Sequence, residues 1–254
     1  DFKSLFNIIL DSTNEILWVS FPRAAGTLEA TGKSDWWDRS AGVVVPIDLT
    51  TGNVIISKTI PNAQIREGVA TTQSQLPNTG DVPIWYDRLY PQDRRQPRGM
   101  KWGDTLAVSS THIAIGATGA STNEWYYQNA GGAIFVYNIS GDTPLLEAVI
   151  YQAADSSDFD YYRNNATGTG GNTLLLPTRA QDGYFPSSLA LNDTQLFIGS
   201  VLSGPDLSEQ SNNEGAAFVV NLSDYTLAHD IVNPNFTGET NWSYFGKSVD
   251  VSGN

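Results

Sequence analysis

The sequence predicts an all-β chain built from a repeated, roughly four-stranded antiparallel unit, and three observations carry that expectation. Short apolar–polar alternations recur, as in Leu106-Val108, Ile113-Ile115 and Ala133-Phe135-Tyr137, each broken by Gly, Asn, Asp and Ser turns. No stretch carries a convincing helical pattern. The alternations also repeat. KWGDTLAVSSTHIAIGATGAS from Lys101 and YFPSSLALNDTQLFIGSVLSG from Tyr184 superpose at a shift of 83 residues, which places Trp102 on Phe185, Leu106 on Leu189, Ile113 on Leu196, Ile115 on Ile198 and Gly116 on Gly199. The same shift carries Gly132 onto Gly215, Phe135 onto Phe218 and Asn138 onto Asn221.

The elements follow in chain order. In the first unit, EILWVSF at Glu15 matches the IAIGA strand, and AGVVVPIDLTTG at Ala41 matches GGAIFVYNISG at an offset of 90 residues. The turn Leu49-Thr50-Thr51-Gly52 then leads to a last strand at Val54-Ile55-Ile56. In the second unit Ile139-Ser140-Gly141-Asp142 leads to Leu145-Leu146 with Val149-Ile150. The terminal YFGKSVDVSGN matches the opening DFKSLFNIIL, with Lys247-Ser248-Val249 on Lys3-Ser4-Leu5. Four strands per unit is the content of a propeller blade. The expected architecture is therefore a β-propeller segment of four-stranded antiparallel blades, three blades plus the start of a fourth. The blades fall at 1–61, 97–152 and 184–236, the fourth begins over 244–254, and the inserts 62–96 and 153–183 form surface loops. A closed propeller needs about four to eight blades, since each hides a face against the next. Three and a beginning read as a fragment of a longer polypeptide, or as a piece whose open faces are covered by other subunits.

Composition narrows the chemistry. The chain has 254 residues, 14 Lys+Arg against 27 Asp+Glu, a formal net charge of −13 and no cysteine. The acidic balance repels phosphate backbones and anionic membranes, so nucleic acid is not an expected partner. Without cysteine there is no disulfide framework, thiolate metal site or cysteine nucleophile. No apolar run approaches a membrane span, so no membrane insertion is expected, and DFKSLFNIIL lacks both an initiator Met and a signal-peptide pattern.

Phe245-Gly246-Lys247-Ser248-Val249, Ile113-Ala114-Ile115-Gly116-Ala117 and Gly132-Ala133-Ile134-Phe135-Val136-Tyr137 together resemble the FG-GAP repeat of integrin-α-like β-propellers. The Pro that usually closes that family's Gly-Ala-Pro is Thr118 here. The resemblance implies a toroidal propeller, commonly extracellular, commonly used for adhesion or assembly and seldom for catalysis. Physically, Gly116, Gly132, Gly199 and Gly215 fit places where strands approach closely or bulge. Trp102, Phe185 and Phe245, opening their units, fit the space between adjacent sheets.

No catalytic residues are assigned. Histidine occurs only as His112, before the Ile113-Ile115 strand, and His229, and both read as polar strand positions; no Gly-x-Ser-x-Gly elbow is present. The metal candidate is the acidic insert ASSDFDYYRNN, where Asp155, Asp158 and Asp160 would suit calcium, although their spacing departs from Asp-x-Asp-x-Asp-Gly. No other cofactor is expected. Asn-x-Ser/Thr occurs at Asn138, Asn165, Asn192, Asn221, Asn235 and Asn241, in or beside predicted turns and inserts that would accommodate glycans. Trp36 and Trp37 in unit one, with Trp125, Tyr126 and Tyr127 in unit two, occupy the connection between second and third strands, whereas unit three has Leu207-Ser208-Glu209-Gln210 there. Rings missing from one unit point to contact outside the unit, with a glycan or a neighbouring subunit; the alternative is that these loops fold back over their own strands.

The expected function is a non-catalytic extracellular structural or adhesion module of a larger, glycosylated, self-assembling surface or filament protein. Its partners would be further blades, other subunits or glycans. A glycan-binding lectin-like module and a secreted glycan-processing hydrolase using Asp158 and Asp160 are the alternatives.

Overall fold

The computed structural model describes residues 6–22, 43–61, 102–118, 132–152, 172–176, 185–201, 215–232 and 245–252. They form an all-β structure of three sheets. The first joins β1 (Asn7–Asp11), β2 (Ile16–Phe21), β3 (Val43–Asp48) and β4 (Ile60–Pro61) in that order. The second joins β5 (Trp102–Val108), β6 (His112–Ala117), β7 (Ala133–Asn138), β8 (Leu145–Gln152) and β9 (Asn172–Leu176). The third joins β10 (Ser188–Leu191), β11 (Gln195–Ser200), β12 (Ala216–Asn221) and β13 (Leu227–Val232). Each is an antiparallel meander, except that β9 lies parallel to β8.

The 83-residue repeat is a repeat of register. Leu106 pairs with Ile115 and Ile115 with Phe135 in the second sheet; Leu189 pairs with Ile198 and Ile198 with Phe218 in the third. His112 faces Asn138 as Gln195 faces Asn221. Even the irregularity recurs, between Val136 and Tyr137 and again between Val219 and Val220.

Because side chains alternate across a strand, each sheet has two faces to bury. The second sheet buries both. Its Ile113, Ile115, Ala117, Phe135 and Tyr137 join Trp18, Val44 and Ile60 of the first sheet in one cluster. Its Ala114, Ile134, Val136, Ala148 and Ile150 join Leu196, Ile198, Phe218 and Val220 of the third in another. Trp102 and Phe185, which open the second and third units, are both fully buried, one in each cluster. Trp102 meets Phe135 edge to face, with ring centroids 6.4 Å apart. The sheets converge at their first strands, with β5 in contact with both β1 and β10.

Two expectations are corrected. Val54-Ile55-Ile56 is not the fourth strand of the first sheet: Val54 makes a single bridge to Ile47, and Ile56–Lys58 forms a 3-10 turn. Ile56 is 83% exposed, whereas Ile60 of β4 is buried against Trp18, so burial rather than local apolarity places the strand. The second sheet has five strands rather than four. Residues 172–176, read as part of a loop insert, pair along β8 and carry Leu174 and the fully buried Leu176 into the core shared with the third sheet. This covers an edge that would otherwise expose a row of backbone donors and acceptors.

Candidate functional site

Polar groups gather at one end of the sheets, around the turns joining first to second and third to fourth strands. Glu147 lies in β8, an acid in the otherwise apolar run Leu145-Leu146-Glu147-Ala148-Val149-Ile150. Its carboxylate accepts the Tyr225 hydroxyl at 2.7 Å, Asn138 Nδ2 at 3.1 Å and His112 Nε2 at 3.1 Å. Burial pushes the carboxyl up, and the hydrogen bonds from Tyr225, Asn138 and His112 more than offset it, leaving its pKa below the usual Glu value. Burial and the adjacent Glu147 carboxylate raise the Tyr225 phenol above its ordinary range.

On the other side of the imidazole, the Thr111 hydroxyl lies 2.8 Å from His112 Nδ1. An ionised Glu147 only accepts, so His112 Nε2 carries a proton and donates to it, while the Thr111 hydroxyl pairs with Nδ1. Asp193 closes the network from the third sheet: its carboxylate accepts the Ser110 backbone N–H at 3.1 Å and the Ser110 hydroxyl at 2.8 Å. Hydrogen bonds led by the Ser110 hydroxyl lower the Asp193 pKa.

Thr111, His112 and Glu147 thus align as hydroxyl, imidazole and carboxylate, the order that activates a nucleophile. Acyl transfer also needs free donors aimed at a developing oxyanion. Here the backbone donors of Ser110, Thr111 and His112 are taken internally. Ser110 N–H goes to Asp193, and the N–H groups of Thr111 and His112 go to the Ser109 hydroxyl at 3.4 and 3.2 Å. What the arrangement does chemically is bind sheet to sheet: Tyr225 and Asp193 of the third sheet are both held by groups of the second. The first sheet is fastened in the same way, with Lys58 Nζ donating to the Ile139 carbonyl at 3.1 Å and Asn14 Nδ2 to the Ser110 carbonyl at 3.1 Å.

At the opposite end of the sheets the joining device is backbone. Ser20 Oγ donates to the Gly103 carbonyl at 2.6 Å, and Ser187 and Ser188 donate to the Gly246 carbonyl at 2.9 and 3.1 Å. A Cβ on Gly116 would collide with Pro186 and Thr105, and one on Gly199 with the Gly246 carbonyl. Each unit's opening aromatic pair therefore lies on the second strand of the unit before it: Trp102-Gly103, Phe185-Pro186 and Phe245-Gly246.

Of the residues singled out from sequence, Trp36, Trp37, Trp125, Tyr126, Tyr127, Asp155, Asp158, Asp160, Asn165, Asn235 and Asn241 lie outside the described residues. Among the described residues no group of acids and histidines is arranged to hold a metal ion. Asn138, Asn192 and Asn221 fall at strand ends and turns. The sequence reading missed Glu147 and Tyr225 as partners; the lone acid inside an apolar strand was the available signal. It also missed Asp193, although Asp193 stands at the 83-residue equivalent of the Ser110 that it grips.

No known protein family and no curated protein matches the chain. Among solved structures, the crystal structure of the tricorn protease is similar over 89% of this chain, at 10% identity and a TM-score of 0.39. The match spans 18% of that protein's chain.

Proposed function

We propose that the chain is a β-propeller segment serving as a non-catalytic structural or adhesion module of a larger, glycosylated, self-assembling extracellular protein. One observation carries the reading: the described polar clusters join one sheet to the next, Glu147 to Tyr225, Ser110 to Asp193 and Lys58 to Ile139. The radial convergence on β1, β5 and β10, the repeated register and the resemblance to FG-GAP repeats support blades stacked around an axis. The outer face of the first sheet supports assembly. It presents Ile8 and Leu10, each 54% exposed, beside Phe6 at 48%, which is the kind of apolar surface a further blade or subunit covers. Calcium at the acidic insert and glycan contact by the aromatic connections stay part of this proposal.

Turnover and assembly measurements on the same preparation test it. The full chain should hydrolyse none of a panel of glycosides and esters, and light scattering should show concentration-dependent association that Ile8→Ser with Leu10→Ser reduces. Hydrolysis abolished by Asp158→Asn or His112→Ala would overturn the non-catalytic reading.

A further inference from the structure

The three described sequons differ in what their amide nitrogens are doing. In each, the Asn side chain can serve two ends: Oδ1 accepts and Nδ2 donates, and a glycan attaches only at Nδ2. Asn138 uses both. Its Oδ1 accepts the Ser140 N–H at 3.0 Å together with the Ser140 hydroxyl, and its Nδ2 donates to Glu147 Oε1 at 3.1 Å. That places the nitrogen against the half-buried carboxylate that also holds Tyr225 of the third sheet and His112. A sugar on this nitrogen would be seated in the joint between two sheets.

Asn221 also commits both ends, through longer bonds: Oδ1 accepts Gln195 Nε2 at 3.3 Å and Nδ2 donates to Thr226 Oγ1 at 3.4 Å. Asn192 is different. Its Oδ1 takes all the local donors, the Thr194 N–H at 2.9 Å, the Thr194 hydroxyl at 3.0 Å and the Gln195 N–H at 2.7 Å. These bonds fix the side chain in the β10–β11 turn, and Nδ2 makes no hydrogen bond among the described residues. The neighbouring Thr194 is exposed.

We propose that Asn192 is an N-glycosylation site of the folded chain and that Asn138, despite an intact sequon, is not; this deepens the glycoprotein part of the proposed function and rests on it. The donor is a lipid-linked oligosaccharide diphosphate supplied by the secretory pathway. Asn192 Nδ2 forms a bond to the sugar C1, the C1–O bond to the diphosphate breaks, the polyprenyl diphosphate leaves with the bonding pair, and the amide gives up one proton. The turn then displays the sugar beside the first strands without disturbing the Asp193–Ser110 link, because that link uses the Asp193 side chain.

The test is peptide mass spectrometry on the full chain, secreted from a glycosylating eukaryotic host and taken from the soluble, folded fraction. The Asn192 peptide should carry glycan in most molecules and the Asn138 peptide in essentially none, and Asn192→Gln should remove one glycan's mass. Occupied Asn138 in that fraction, or bare Asn192 beside glycans at Asn165, Asn235 or Asn241, overturns the assignment while leaving a glycoprotein. Six bare sequons, with a control glycoprotein modified in the same cells, overturn the glycoprotein reading and the assignment with it.

Discussion

The Ser20 hydroxyl donates to the Gly103 carbonyl across 2.6 Å, tying the second strand of one sheet to the first strand of the next. Both residues are constrained by the approach. Ser20 is fully buried, and Gly103 has φ +95 with space for no side chain, since a Cβ would lie 2.9 Å from that of Ser20. Ser20→Ala should lower stability by about 1 kcal/mol, the usual net value of such a bond, because Asn7 Nδ2 still serves the same carbonyl at 2.9 Å. Gly103→Ala should cost more, about 2–3 kcal/mol, through positive φ together with the clash. Urea unfolding midpoints of the two variants rank them, and the reverse order would contradict the described packing.

A second pair of substitutions separates backbone conformation from space. Gly52 and Gly132 share a φ of +72. A Cβ at Gly52 meets nothing within 4 Å, whereas one at Gly132 overlaps the Phe185 carbonyl. Gly52→Ala should therefore lose only about 1–2 kcal/mol. Gly132→Ala should prevent the second and third sheets from seating, seen as loss of cooperative thermal unfolding and exposure of Phe185 to dye binding.

The Glu147 network predicts how stability responds to pH. Its folded pKa is lowered, so its contribution is present above the unfolded value of about 4.3 and is lost as pH falls through the folded value. The Tyr225 pKa is raised, so its contribution is present below about 10 and is lost as pH climbs. Melting temperature should fall on both sides. Glu147→Gln should flatten much of the acid limb, with Asp193 supplying a remainder, and Tyr225→Phe should flatten the alkaline limb. An acid limb unchanged in Glu147→Gln would remove Glu147 from the linkage.

The open face of the first sheet predicts behaviour in solution. With Ile8 and Leu10 half exposed, the chain alone should associate at micromolar concentration. Extending it by several more units should raise the melting temperature and suppress that association, read by scattering and calorimetry. A dilute, cooperatively melting monomer unaffected by extension would count against stacked blades.

The repeat made most of the fold legible, because Ile115–Phe135 and Ile198–Phe218 occupy the same register and their spacing is written in the chain. What escaped reading depended on distant burial. Nothing local distinguishes Val54 and Ile56, which stay exposed, from Leu174 and Leu176, which are drawn into the core; the deciding neighbours lie on other sheets. The polar network was less legible still. Glu147 and Tyr225 stand 78 residues apart and meet only because two sheets stack.

The clasp between units also sets a direction in time. Ser20 waits for Gly103, which follows it by 83 residues, and Ser110 waits for Asp193 at the same distance. At a synthesis rate of about 5–20 residues per second, the earlier partner of each link is made several seconds before the later one. The opening Phe185-Pro186 lies on Gly116, and Phe245-Gly246 on Gly199. Each sheet thus offers its second strand as the docking surface for the unit that follows it in the chain.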